Sequence, residues 1–195
     1  MRRINKNRRG FTLVEMMLSL AIIAIIFGLT TALMISISES FTMTYNLNDA
    51  SDYAMLYGYG IENSVIAQVS KKESATWTIG SYDADGVSHS SVLLCNGEPV
   101  FIPNQMKTKV NGSGPSVDKW QIKMLFKTSG SMVYYVVLVY DNYYDPTKPL
   151  MYKYEGSFWL PHSTADIKQA AAGEGVYTDP LAPGYTSVLT YTKGS

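Results

Sequence analysis

Hydrophobic and polar positions divide the chain into three stretches. From Met16 to Ser38 there are 23 consecutive residues without a charge, mostly Met, Leu, Ile, Ala and Phe. As a helix they rise about 34 Å at 1.5 Å per residue, enough to span a bilayer. A helix apolar all round would need a large domain wrapped around it to be buried in a core, and a chain of 195 residues cannot supply one. Next, Leu47, Ala50, Ala54, Tyr57, Ile61, Val65 and Val69 recur at spacings of three and four, which is helical periodicity. Asp49, Asp52, Glu62 and Asn63 fall on the opposite, polar face, and Lys71-Lys72 sit where a helix C-terminus favours cations. No proline precedes Pro99, so one helix is expected from about Phe11 to Val69. Gly28, Gly58 and Gly60 are its soft points, where a local bend and a close packing contact are both compatible with glycine.

From Ser74 onward the period shortens to two. Trp120, Ile122, Met124 and Phe126 alternate with Gln121, Lys123 and Lys127; Met132–Tyr140 is a continuous apolar run, and Thr128-Ser129-Gly130-Ser131 between them suits a hairpin loop. Further strands are expected at Ala75–Gly80, Ser91–Cys95, Pro99–Ile102, Leu150–Leu160 and Thr186–Thr192, separated by segments rich in Gly, Pro, Asn and Asp. Asp166–Ala172 before Gly173 reads as a short helix capped by Ser163 or Thr164. The expected fold class is α+β. A long N-terminal helix has its outer half (39–72) packed on an antiparallel head (73–195), and its first half (11–38) is apolar enough for a membrane.

Charge sharpens the picture. Sixteen basic and sixteen acidic residues cancel, but Arg2, Arg3, Lys6, Arg8 and Arg9 all lie before Gly10 with no acid among them. Beyond residue 10 there remain eleven Lys, no Arg and sixteen acids, a net of −5, which argues against a nucleic-acid binder that needs clustered cations. Five positive charges directly before the apolar run predict a cytoplasmic N-terminus and an extracytoplasmic head. A cleaved secretory signal fits poorly: the run exceeds 7–15 residues, and Thr30-Thr31-Ala32-Leu33-Met34 is a weak small-x-small site. Gly10-Phe11-Thr12-Leu13-Val14-Glu15 also sets a carboxylate at the border of the apolar segment. Unpaired in lipid it would cost roughly 2–3 kcal/mol, so a functional partner is expected.

A basic leader, then Gly-Phe-Thr-Leu-Val-Glu, then a long apolar stretch resembles the N-terminus of type IV prepilins and of the pseudopilins of type II secretion and competence systems. The resemblance covers Lys6 to about Ser38. It implies a pilin-like fold and cleavage between Gly10 and Phe11 by a membrane-embedded prepilin peptidase, which removes the leader 1–10 and N-methylates Phe11. It further implies that Glu15 pairs with the Phe11 amine of a neighbouring subunit as the helices pack into a pilus-like polymer with the assembly machinery. The single Cys95 departs from the disulfide-closed loop of many Gram-negative pilins and leans toward a Gram-positive or pseudopilin-like context.

The head offers little catalytic material. Asp83-Ala84-Asp85-Gly86 lacks the third oxygen ligand and the bidentate Glu of an EF-hand, so a turn is the expectation. Glu174 and Asp179 lie in a Gly/Pro-rich stretch where some secretion pseudopilins hold calcium, but two acids in a loop are more often solvated. Cys95 with His89 or His162 could form a thiol–imidazole pair only if the fold joined them, and Cys95 ends an apolar run where a small thiol is ordinary. No enzyme, metal or cofactor is expected. Most of the fifteen tyrosines suit sheet packing, with Tyr143 and Tyr144 as the exposed contact candidates in a loop. Two readings follow: a filament subunit, which needs Gly10, Phe11 and Glu15, and a cell-surface binding module whose helix is only a signal anchor.

Overall fold

The computed structural model describes residues 12–84, 87–103, 107–109, 116–141, 150–160, 167–171 and 176–193. Helix α1 runs from Leu13 to Lys71, 59 residues, close to the expected extent. The chain divides into two compact units, Met1–Asn46 and Leu47–Ser195, and α1 contributes to both. It ends without a glycine. Lys72 takes φ 58° while its N–H bonds the Val69 carbonyl and the Glu73 N–H bonds the Gln68 carbonyl, the paired closure of a Schellman stop.

In the first unit every described residue from Thr12 to Tyr45 is exposed, including Leu18, Ile22, Ile25, Phe27, Leu33 and Phe41. This helix is long and apolar enough to cross a membrane, and none of its most apolar window is buried within the protein. In water such a face would be strongly unfavourable; lipid or other helices are the environments that suit it.

The second unit is an antiparallel head. Strands β1 (Ala75–Ala84), β2 (Val87–Cys95), β3 (Glu98–Pro99), β9 (Ile167–Gln169) and β10 (Leu189–Tyr191) form a five-stranded sheet in the order β3-β2-β1-β10-β9. Strands β6 (Trp120–Ser129), β7 (Met132–Asp141) and β8 (Leu150–Trp159) form a second sheet, and β4 (Lys107–Lys109) pairs with β5 (Ser116–Asp118). Strands β6 and β7 run in register from Trp120↔Asp141 to Ser129↔Met132 around Gly130-Ser131, at the expected loop. The two main sheets meet where Phe126 and Thr186 exchange backbone hydrogen bonds of 2.7 and 2.9 Å, and where the Thr128 N–H donates to Gln169 Oε1 at 3.0 Å.

One core joins helix and sheets. Ala50, Ala54, Tyr57, Ile61 and Val65 on α1 are fully buried and belong to one cluster with Trp77, Leu93, Trp120, Ile122, Phe126, Tyr135 and Val137. Small residues let the helix approach. A Cβ on Gly58 would sit 2.8 Å from Tyr154 and 2.9 Å from the Tyr135 hydroxyl, so this glycine marks close packing within an intact helix. On the other face of β6-β7-β8 a smaller cluster of Leu125, Val136 and Leu138 is covered by Ala182 and Tyr185 of the C-terminal segment.

Three expectations change. Ile167–Gln169 is strand β9, not a helix: it finds a ladder partner in β10, with Ile167↔Tyr191 and Gln169↔Leu189, and tertiary pairing overrides the local alanine-rich composition. Strand β3 is Glu98–Pro99 and does not reach Ile102. The polar helix face is not merely solvated. Asp49 accepts from Lys119 Nζ (3.0 Å) and Trp120 Nε1 (2.8 Å), and Glu62 accepts from the Tyr135 hydroxyl (2.7 Å). Helix α1 is also tied by Trp77 Nε1–H to Ser64 Oγ at 2.8 Å and by the Tyr57 hydroxyl to the buried Ser91 carbonyl.

Burial pushes the Tyr57 phenol well above its ordinary value, reinforced by Asp118, so it stays a protonated donor across the physiological range. Tyr57→Phe would leave the Ser91 carbonyl without this donor and should destabilise the head by about 1–3 kcal/mol. Urea unfolding of the full-length protein in detergent, followed by near-ultraviolet circular dichroism, checks this; an unchanged midpoint would contradict it.

Candidate functional site: the N-terminal end of the apolar helix

The first described turn of α1 is closed by its own side chains. Thr12 precedes the helix and Glu15 stands three residues on. The Glu15 N–H donates to Thr12 Oγ1 at 3.3 Å, the Thr12 N–H donates to Glu15 Oε2 at 2.9 Å, and the Thr12 hydroxyl donates to the same oxygen at 3.1 Å. This reciprocal arrangement is a capping box, which satisfies backbone donors that a helix N-terminus otherwise leaves open. Glu15 is also the acidic residue of the first turn, where the helix dipole favours a carboxylate.

The consequence for a membrane is direct. A bare carboxylate at the border of hydrocarbon is costly, and here one of its oxygens already carries two donors from the same helix. The hydroxyls along the apolar run are treated likewise. Ser19 donates to the Glu15 carbonyl (2.8 Å), Thr31 to that of Phe27 (2.8 Å), Ser40 to that of Ser36 (2.9 Å) and Thr42 to that of Ser38 (2.9 Å). These four hydroxyl hydrogens are satisfied within the helix, as lipid favours.

Of the sequence-predicted site residues, Glu15 is thus placed in a defined geometry. Gly10, Phe11, Tyr143 and Tyr144 lie outside the described residues, as do His162 and Glu174. The role of Thr12 is signalled in the sequence by the Thr-x-x-Glu spacing, a capping-box pattern that the carboxylate's position at the apolar border does not by itself reveal.

The head's remaining chemical candidates are occupied structurally. His89 and Cys95 stand on one strand six residues apart, about 20 Å at strand rise, which precludes a thiol–imidazole pair. His89 Nδ1 instead lies 3.5 Å from the buried Asp118 Oδ1, an ion-pair distance too long for a hydrogen bond, while Asp118 Oδ2 accepts from the Ser90 N–H at 3.0 Å. Burial pushes the half-buried Cys95 thiol up, away from the reactive thiolate. Its groove of about 750 Å³ is lined by Leu56, Tyr59, Gly60, Pro99 and Phe101. Asp179 is buried, held by Lys123 Nζ at 3.3 Å and by the Leu181 N–H at 3.0 Å, rather than solvated in a loop.

Residues 5–31 match the family described as the prokaryotic N-terminal methylation motif. The chain therefore carries a type IV prepilin-like signal motif, and its long helix followed by antiparallel sheets is an α+β, pilin-like architecture. No curated protein and no solved structure matches the chain.

Thr12→Val removes both the acceptor for the Glu15 N–H and one donor to its carboxylate, at a cost of about 1 kcal/mol to the helix end, whereas Thr12→Ser retains them. Amide exchange at Leu13–Glu15 of the full chain in micelles should quicken about fivefold in the valine variant alone. Equal exchange in all three proteins would contradict the capping role.

Proposed function

We propose that this chain is a structural subunit of a type IV pilus-like filament, of the major pilin, minor pilin or pseudopilin kind, and not an enzyme. One observation carries the reading: the methylation motif at residues 5–31 leads into a helix whose apolar half is exposed among the described residues. A prepilin peptidase cuts between Gly10 and Phe11 on the cytoplasmic side and methylates the Phe11 amine. Before the cut, five leader charges hold the N-terminus at the cytoplasmic face with the head outside. Afterwards they are gone, and the helix can be drawn out of the membrane to bury its apolar surface against other pilin helices.

Glu15 acts in both states. In the single subunit Oε2 is taken by Thr12, while Oε1 has no protein partner among the described residues. In the filament Oε1 receives the Phe11 ammonium of a neighbouring subunit, in surroundings where an opposite charge counts for far more than in water. The capping box and the intersubunit pair thus use different oxygens of one carboxylate.

Glu15→Val tests this. Membrane insertion should be at least as efficient as in the wild type, and cleavage before Phe11 should continue because leader and glycine are intact. Filament-incorporated protein should fall about tenfold or more, the equivalent of about 1.4 kcal/mol, because the neighbour's ammonium loses its counter-charge in a low dielectric. Wild-type incorporation by Glu15→Val, in a strain with no other pilin to rescue it, would overturn the pairing and favour a simple membrane anchor.

A further inference from the structure

Strand β8 is an open edge of the head among the described residues. Strand β8 pairs with β7 on one side, and among the described residues no strand pairs with its other side. At the ends of the five-stranded sheet, β3 is two residues ending in Pro99, which has no N–H, and β9 meets β6 through the Thr128–Gln169 bonds. The regular part of β8, Tyr152–Trp159, therefore offers a row of backbone donors and acceptors to another strand. Proteins commonly protect such an edge with charges, and β8 carries two on one face, Lys153 and Glu155, 2.7 Å apart. Lys153 Nζ also donates to the Leu181 carbonyl at 3.0 Å. Their signs are opposite. A protecting pair of like charges would repel a second copy; this pair does so in some registers and attracts in one.

We propose that β8 is a self-recognition edge, pairing antiparallel with β8 of a second copy of this chain in the register centred on Tyr154. The choice of register follows from geometry. Strands extending one continuous sheet must place residues of the same face opposite each other, so the two-fold passes through a residue position. Centred on Lys153 the register sets Lys153 against its copy, and centred on Glu155 it sets the two carboxylates together; both are repulsive. Centred on Tyr154, Lys153 faces Glu155 of the second copy and Glu155 faces its Lys153, giving an alternating square of four charges. The same register pairs Tyr152, Lys153, Tyr154, Glu155 and Gly156 of the regular part of the strand, clear of the bulge at Met151. It brings Tyr152 opposite Gly156.

The symmetry limits where the contact can form. A two-fold relating antiparallel strands stands normal to the sheet and reverses every direction lying in that layer, including the Leu47–Lys71 length of α1 packed on it. Two copies upright in one membrane, or in one polar filament, have parallel helices and cannot meet this way. Heads on opposed filaments can, so the edge is suited to lateral association of filaments. That consequence rests on the filament reading, whereas the pairing itself does not, and its test needs no assembly.

Full-length protein in detergent, examined by sedimentation equilibrium, should show a concentration-dependent dimer. Glu155→Lys replaces both cross-strand attractions by repulsions and should weaken association about tenfold. Lys153→Glu should do the same, and the double exchange Lys153→Glu/Glu155→Lys should restore the wild-type constant. Both side chains are at the surface, so circular dichroism should report an unchanged fold in each variant. A monomeric wild type, association unaffected by the single reversals, or no recovery in the double exchange would each overturn the proposal; charge-insensitive association would instead be the signature of contacts through the apolar helix.

Discussion

An apolar helix half left exposed by the described residues is the constraint on which the rest depends. From Leu13 to Tyr45 the residues of α1 are exposed and mostly apolar, and the helix residues buried in the head's core lie beyond, from Ala50 to Val65. Apolar surface on this scale is not stable in water, and lipid or other helices are the environments that suit it. The internal hydrogen bonds of Ser19, Thr31, Ser40 and Thr42 fit the same requirement, since no water is at hand to satisfy them.

The second half of α1 meets the opposite condition, because its buried face is part of the head's own core. Alanines at 50 and 54 and glycine at 58 bring the helix backbone close to the sheets, and Tyr57, Asp49, Glu62 and Ser64 each meet a different strand or its flank. Two of those contacts involve carboxylates at positions that a helical wheel would leave in solvent. Partly desolvated hydrogen bonds of this kind are directional, and they set the rotation of the helix where hydrophobic contact alone would permit slippage.

Much of this architecture was legible because its periodicities are strong. Three-four spacing from Leu47 to Val69, alternation from Trp120 to Phe126 and the apolar run at Met132–Tyr140 each depend on local pattern, and each element formed close to where that pattern lies. What was illegible depended on distant partners. Ile167–Gln169 is a strand only because β10 lies beside it, and the polar face of α1 is engaged only because Lys119, Trp120 and Tyr135 reach across to it. The hairpin joining β2 and β3 is a different case: Asn96 and Gly97 both take positive φ, 52° and 86°, the two-residue turn that an Asn-Gly pair specifies, and this signal stood in the sequence unread. At the helix start the charge of Glu15 was plain, while its bond to Thr12 required the cap geometry.

The central claim, that this is a prepilin-like subunit matured for polymerisation, turns on a single peptide bond. The most direct measurement is the mass of the N-terminal peptide of the protein recovered from cells that contain a prepilin peptidase. The account predicts a chain lacking Met1–Gly10 and beginning with N-methylated Phe11. A surface-exposed protein that keeps its leader, or one cut downstream near Thr30–Met34, would contradict it.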